Sequence, residues 1–405
     1  MFDVNKVRED FPMLKQKVNG KPLVYLDNSA SSQKPQVMID RLRDFYTNEY
    51  AKIDEIHTLS KKATENFEQA REKIAKFINA RHSKEIIFER GATEALSRLA
   101  NSFARSILKE GDEILVTAME HHSNLIPWQI ACDESGAKIK VAPINERGEL
   151  KLDELESKIT ERTKVIAVTH VSNVLGTINP IKRICEMGYE RNIQTVVDGA
   201  QSAAHLPVDV QDLGCDFFAV SGHKMGGPSS VGFLYGRAKR LEALAPIEGG
   251  SVMAETVTFE DFTTKPLPKQ AEAGTPAFAE AIAFGEAVDY WSNLGMENIA
   301  AYEKELVAYA TEKISAIDRV RIIGKAKDKV SVLSFVIDGI EPNKIEESLD
   351  KEGIAIRSGT LSAQPLIKLL GLPGVARASF MFYNTREEAD ALAAGIEKCI
   401  KEEGA

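Results

Sequence analysis

The stretch DFFAVSGHKMGGPSSVGFLYG (216–236) places Lys224 between two apolar runs, just past the end of the first. An amine at the end of a buried strand is costly to keep charged and becomes reactive once its pKa is depressed. Two other apolar runs end in polar residues. HVSN closes one with Asn173, and VVDGAQ closes the next with Asp198 and Gln201. A single Asp-Gly or His-Lys at a strand end is ordinary turn chemistry. An amide, an acid and an amine on three successive strand ends read as a site, because adjacent parallel strands gather them at one sheet edge.

A lysine facing an aspartate on a neighbouring strand is the arrangement that pyridoxal 5'-phosphate requires. Lys224 would form the Schiff base, and Asp198 would keep the pyridine nitrogen protonated so that the ring accepts electrons. RGATEAL (90–96) offers a phosphate site, a glycine turn entering a helix. There the free N–H groups around Ala92 and the Thr93 hydroxyl can receive a dianion. Ser221 and His223, flanking the lysine, add donors, and His121 of MEHHSN is placed to stack on the ring.

Short β-rich runs alternate with helical patterns from about residue 20 to 240. ATENFEQAREKIAKFIN, for instance, sets Phe67, Ala70, Ile74, Phe77 and Ile78 on one helical face. This predicts an α/β fold with a mostly parallel sheet between helices. After EAGTP (272–276) come two long helical stretches, 277–294 and 296–317, separated by Gly295. Strand, strand, helix, strand, strand, helix follow, the last helix opening with capping-box spacing at Thr385 and Glu388. The expected division is a large cofactor-binding domain, 20–265, and a smaller α+β domain of 266–405 joined by residues 1–19.

At 405 residues, 43% hydrophobic and 27% charged, the chain has the composition of a soluble globular protein. A net charge of −9 disfavours a nucleic-acid partner. No apolar run approaches the roughly 20 residues of a membrane span, and MFDVNKVREDFPML has no apolar signal region. Cys132, Cys185, Cys215 and Cys399 have no metal-like spacing, so no metal is expected and a reducing, cytoplasmic setting is.

As a set, VREDFPML, VNGKPLVYLD, MEHHSNLIPWQ, THVSNVLGTINP, VDGAQSAAHLPVDVQ, SGHKMGGP, EAGTP and RASFMFYNTREE are ordered along nearly the whole chain. The sequence resembles the fold-type I pyridoxal-phosphate enzymes of the class V aminotransferase group, and within them the SUF-type (group II) cysteine desulfurases and selenocysteine lyases. The resemblance implies a seven-stranded-type sheet in the large domain. It implies Lys224 as Schiff-base lysine, Asp198 on the pyridinium, His121 on the ring face and Gln201 near the phenolic oxygen. Thr93, Ser221 and His223 would hold the phosphate, with Thr275 reaching across from a second subunit of a homodimer. Asn173 and Arg377 would bind the carboxylate of a small amino-acid substrate.

Three departures bear on the chemistry. The family's persulfide loop, Arg-Thr-Gly-His-His-Cys, reads RSGTLSAQP (357–365) here, with Ser362 at the nucleophile's position. A thiol of pKa about 8.5 ionises near neutrality and a hydroxyl does not. The four cysteines lie on other patterns, away from Arg377. In YAKIDEIHTLS (50–60), Asp54 and Glu55 stand where the family has basic residues, as solvated carboxylates or as readers of a cationic group. In DNSASSQKP (27–35), Asn28 either touches substrate or caps the following helix. The expected activity is Cβ–S or Cβ–Se lysis of cysteine, selenocysteine or a related β-substituted amino acid. The alternatives are a cysteine desulfurase serving a sulfur-acceptor protein, an epimerase, aminotransferase or decarboxylase acting on another amino acid, and a non-catalytic binding relative.

Overall fold

The protein is described from a computed structural model covering residues 2–403. Seven strands form its main sheet: β1 (Ile86–Glu89), β2 (Glu113–Thr117), β3 (Lys138–Ala142), β4 (Thr163–Thr169), β5 (Gln194–Asp198), β6 (Phe217–Ser221) and β7 (Gly232–Gly236). They lie in the order β1-β7-β6-β5-β4-β2-β3. Only β7 runs antiparallel to its neighbours, β1 and β6. The central strands are apolar on both faces because helices cover both. Phe218 and Val220 of β6 enter one core cluster, whereas Phe217 and Ala219 enter the other.

Helix α1 (Thr58–Phe77) buries the predicted stripe of Phe67, Ala70 and Ile74 on one side of the sheet. On the other side, α2 (Ala92–Ser106) buries Leu96, Leu99 and Phe103 beside Trp128. Helix α3 (Phe278–Leu294) is followed through Gly295 by α4 (Met296–Ser315). A second, antiparallel sheet has the order β8-β9-β11-β10, from β8 (Val320–Ile323), β9 (Val332–Ile337), β10 (Arg357–Gly359) and β11 (Val375–Ser379). Helix α5 (Arg386–Glu403) packs behind it. The capping box at its start is present: Thr385 N–H donates to Glu388 at 3.1 Å and Glu388 N–H to the Thr385 hydroxyl at 3.3 Å.

The packing does not follow the division expected at residue 265. Val7, Phe11, Leu14 and the α3 residues Ile282, Phe284 and Trp291 share a core cluster with Phe218 and Phe233 of the main sheet. Helix α3 is apolar nearly all round. At Gly285 a Cβ would come within 3.0 Å of Ala70 on α1, so α3 is sunk against the large sheet. LVYLD does not join that sheet either. Val24–Tyr25 pairs in parallel with Ile354–Ala355, and Asp27 bridges to Ser379, which carries the N-terminal segment between the two sheets. No helix of the described residues is long and apolar enough to cross a membrane.

Candidate active site

A cavity of about 500 Å³ opens where β4, β5 and β6 end and α2 begins. Lys224, in the short turn after β6, is half-buried and lines it. Burial draws its amine down to about 8. Arg377 and Arg357 push in the same direction, while Asp198 and Asp27 oppose them. Asp198, the last residue of β5, is buried. Among the described residues its carboxylate has one hydrogen-bond donor, the Ala200 N–H at 3.0 Å. Burial raises its pKa, and that donor and the Lys224 charge pull back. A buried acid so sparsely satisfied, opening on the cavity, fits a protonated ring nitrogen.

The phosphate end is equally well suited. Gly91 precedes α2 at φ +148°, and a Cβ there would meet Ser221 Oγ at 3.1 Å. Ser221 Oγ accepts the Ala92 N–H at 2.9 Å, which leaves the hydroxyl proton to give. Thr93 Oγ1 lies 2.7 Å from Ser123 Oγ. The N-cap Gly91 has no side chain to close α2, and Ala92 and Thr93 of its first turn line the cavity, which makes that helix end a suitable anion site. His223 and His121 are each held down to about 4, first by burial and then by Lys224. The His121 ring is neutral at working pH, with Nδ1 accepting the Ser123 N–H at 3.1 Å. Gln201 is anchored by donating to the Ser29 carbonyl at 2.9 Å.

Arg377 is 2% exposed. Its Nη1 donates to the Asn173 carbonyl at 3.1 Å and its Nη2 to Asp27 at 2.9 Å; the buried Nε–H is unpaired. Asn173 spends its own amide on the Leu361 carbonyl at 2.9 Å. That bond and one from His122 N–H to the Ser362 carbonyl, 2.7 Å, pin the Ser362 loop from its backbone. Leu361 and Ser362 adopt φ of +53° and +54°, a left-handed pair, and Ser362 is exposed at the cavity. Gln364 N–H donates to His122 Nε2 at 3.2 Å.

Three residues predicted for the site lie away from the cavity. Asn28 is buried outside the cavity: its amide donates to Ser379 O at 2.7 Å and Asn384 Oδ1 at 3.0 Å, and its oxygen accepts from Tyr383 OH. With both ends of the amide spent, it neither meets substrate nor caps the next helix, whose N-cap is Pro35. Asp54 pairs with Lys269 at 2.9 Å and Glu55 with Lys52 at 2.7 Å; neither lines the cavity. Thr275, expected at the site of a second subunit, is exposed and away from this chain's own cavity. Conversely, Asp27 and Arg357 line the cavity, and neither was expected there from the sequence. Asp27 holds Arg357 at 3.0 Å as well as Arg377. The signal was the Asp-Asn of DNSASSQKP, but its arginine partners lie 330 and 350 residues on.

The aminotransferase class-V family model matches residues 24–392. The chain is 46% identical over 398 residues to a probable cysteine desulfurase of Halalkalibacterium halodurans, covering 98% of both. It is also 46% identical to the cysteine desulfurase of Synechococcus elongatus, in a match that covers 98% of this chain but spans only 64% of that protein's length. Among solved structures it superposes on the Escherichia coli cysteine desulfurase CsdA, in its S-sulfonic acid form, with a TM-score of 0.92, 34% identity and 99% coverage of each chain. The apo cysteine desulfurase of Thermococcus onnurineus NA1 gives 0.93 at 33% identity, covering 98% of each. With a cavity that fits its cofactor at the ring nitrogen and at the phosphate, the chain belongs to the class-V aminotransferase family, as a cysteine desulfurase-like enzyme dependent on pyridoxal 5'-phosphate.

Proposed function

We propose that the protein is a SUF-type relative that lyses the Cβ–S or Cβ–Se bond of a small amino acid without a sulfur relay of its own. The observation that carries this is the hydroxyl of Ser362 at the cavity, with no thiol in its place. The four cysteines line other parts of the chain. Burial pushes Cys132 up to about 11 and Cys185 to about 12, and raises Cys215 and Cys399 too, so none is a ready thiolate.

Bound in the cavity, pyridoxal phosphate supplies an electron sink that acidifies the substrate Cα–H and lets a Cβ substituent leave. The residues divide the remaining work. Arg377, lining the cavity, takes the α-carboxylate with its guanidinium, aided by Asn173. Lys224 is the cofactor lysine, and its amine removes the Cα proton. Asp198 keeps a proton on the ring nitrogen, His121 covers the ring face and Gln201 serves the phenolic oxygen. Ala92, Thr93, Ser221 and His223 receive the phosphate, joined by Thr275 from a second copy of the chain in a homodimer. Thr275 stands exposed, as that role requires.

Elimination breaks the Cβ–S or Cβ–Se bond, and the departing atom keeps the electron pair and gains a proton. The carbon skeleton leaves as pyruvate and ammonia after hydrolysis. A selenol would depart in this way unaided. A sulfinate would leave as sulfur dioxide without the pair, which stays on Cβ and takes a proton to give alanine. The sulfur of plain cysteine, if it is to be passed on, calls for an attacking thiolate. Purified enzyme given L-cysteine, L-selenocysteine and L-cysteine sulfinate should turn over the last two at least about tenfold faster. From cysteine or selenocysteine, pyruvate as product marks elimination, and alanine marks removal of the sulfur or selenium without its electron pair, to an acceptor that takes it. Rapid turnover of cysteine with sulfur passed to an acceptor protein would overturn the proposal. It would favour the second reading, a cysteine desulfurase attacked by an external thiol, which the 46% identity to cysteine desulfurases supports. The four free thiols suit a reducing, cytoplasmic setting.

A further inference from the structure

At the edge of the cavity, which Ser31 lines, the segment Ser31–Lys34 grips the turn that carries Lys224. The Lys34 ammonium donates to the His223 carbonyl at 2.7 Å and to the Ser32 carbonyl at 2.7 Å. The same His223 carbonyl accepts the Ser32 N–H at 3.1 Å and the hydroxyls of Ser31 and Ser32 at 3.2 and 3.3 Å. On the far side of Lys224, the Gly226 N–H donates to Ser32 Oγ at 2.8 Å. The peptide groups on both sides of Lys224 and Met225 are therefore tied to one short segment.

The tie has room for little else. Gly226 has φ +75°, and a Cβ there would fall 2.3 Å from Trp291. Lys34 itself is half-buried, does not line the cavity, and has no carboxylate acting on it; burial draws its amine down to about 8. A half-buried ammonium with only carbonyl partners carries a desolvation cost, and an ordinary turn would be held more cheaply by a neutral amide. What the charge adds is a stronger hydrogen bond to the carbonyl next to Lys224.

We propose that Lys34 is a positioning residue for Lys224: with Ser31 and Ser32 it clamps the His223 carbonyl, and so fixes the turn that aims the Lys224 amine into the cavity. The proposal rests on Lys224 being the cofactor lysine. Its test compares Lys34→Met, Lys34→Arg and Lys224→Ala with the unaltered enzyme. In cofactor-free Lys34→Met, amide hydrogen exchange should quicken by about tenfold or more at residues 222–227, while the strand interiors keep their rates. In the loaded enzyme, given L-cysteine or L-selenocysteine, whichever turns over, kcat should fall about tenfold with KM within about twofold. Lys34→Arg, which keeps the charge and the donor, should recover most of both. Unchanged turn exchange and unchanged kcat overturn the proposal. Faster exchange everywhere, with normal kcat per folded molecule, also overturns it by making Lys34 a fold residue only. If Lys34→Met does not accumulate, Ser32→Ala must show the same pattern or the proposal fails. Lys224→Ala separates the two levels: if it alone abolishes turnover, only the role of Lys34 is lost, but if it keeps turnover the reading of the cavity is lost.

Discussion

An amine between two buried strands needs a reason, and for Lys224 the sequence points to Asp198 on the strand beside it; the structure lines one cavity with both. The Lys224 amine should behave accordingly. An unperturbed lysine titrates near 10.4, and this one is drawn down mainly by burial to about 8. Only the unprotonated amine attacks an aldehyde, so reloading of cofactor-free protein with pyridoxal phosphate should accelerate as pH rises through about 8 and then level off. Stopped-flow absorbance measures this directly, and an inflection near 10 would mean that the amine stays fully solvated. Asp27 and Arg357 were not legible in the same way. An aspartate beside an asparagine is turn chemistry in any sequence, and nothing local announces that it will hold two guanidinium groups in a cavity. Asn28 misled for the complementary reason: its amide is buried by Ser379, Tyr383 and Asn384, which the chain supplies more than 350 residues later.

The helices and strands were the most readable level, because period-two and helical patterns are local. The β-rich runs expected before residue 240 all contain strands, with the three polar-ended ones adjacent and parallel as the site demands. Helix α3 was recognised but assigned to the wrong neighbour: an apolar helix announces burial without saying against what. The turn after β5 shows how tightly these elements constrain the chemistry. A Cβ on Gly199 would lie 2.1 Å from the Phe218 ring on β6, so even one methyl must displace the Asp198–Gln201 turn. Gly199→Ala should therefore cost about 1–3 kcal/mol of stability and weaken cofactor retention at least severalfold. Thermal melts and dialysis of the loaded protein measure the two effects. Full retention of cofactor would mean the turn can yield without moving Asp198.

Across the molecule, burial also decides how the fold meets acid. His170 is 7% exposed, and burial alone pulls its imidazole down to about 4, against roughly 6.5 in an unfolded chain. Between those values the unfolded chain binds the extra proton. His170 therefore contributes stability that is whole above pH 6.5 and drains away as pH falls towards 4, on the order of 3 kcal/mol. Melting temperatures at pH 7 and 5 should differ less for His170→Asn than for the unaltered protein; an equal difference removes His170 from the account. The same wholeness governs assembly. Asp27, near one end, grips Arg377, near the other, and Ser29 and Lys34 reach Gln201 and the Lys224 turn between them. A chain emerging from the ribosome therefore carries Lys224 long before it carries Arg377. Until residue 377 is made, Asp27 lacks the buried guanidinium that ties the N-terminal segment to the second sheet, so the cavity wall closes only when synthesis is nearly done.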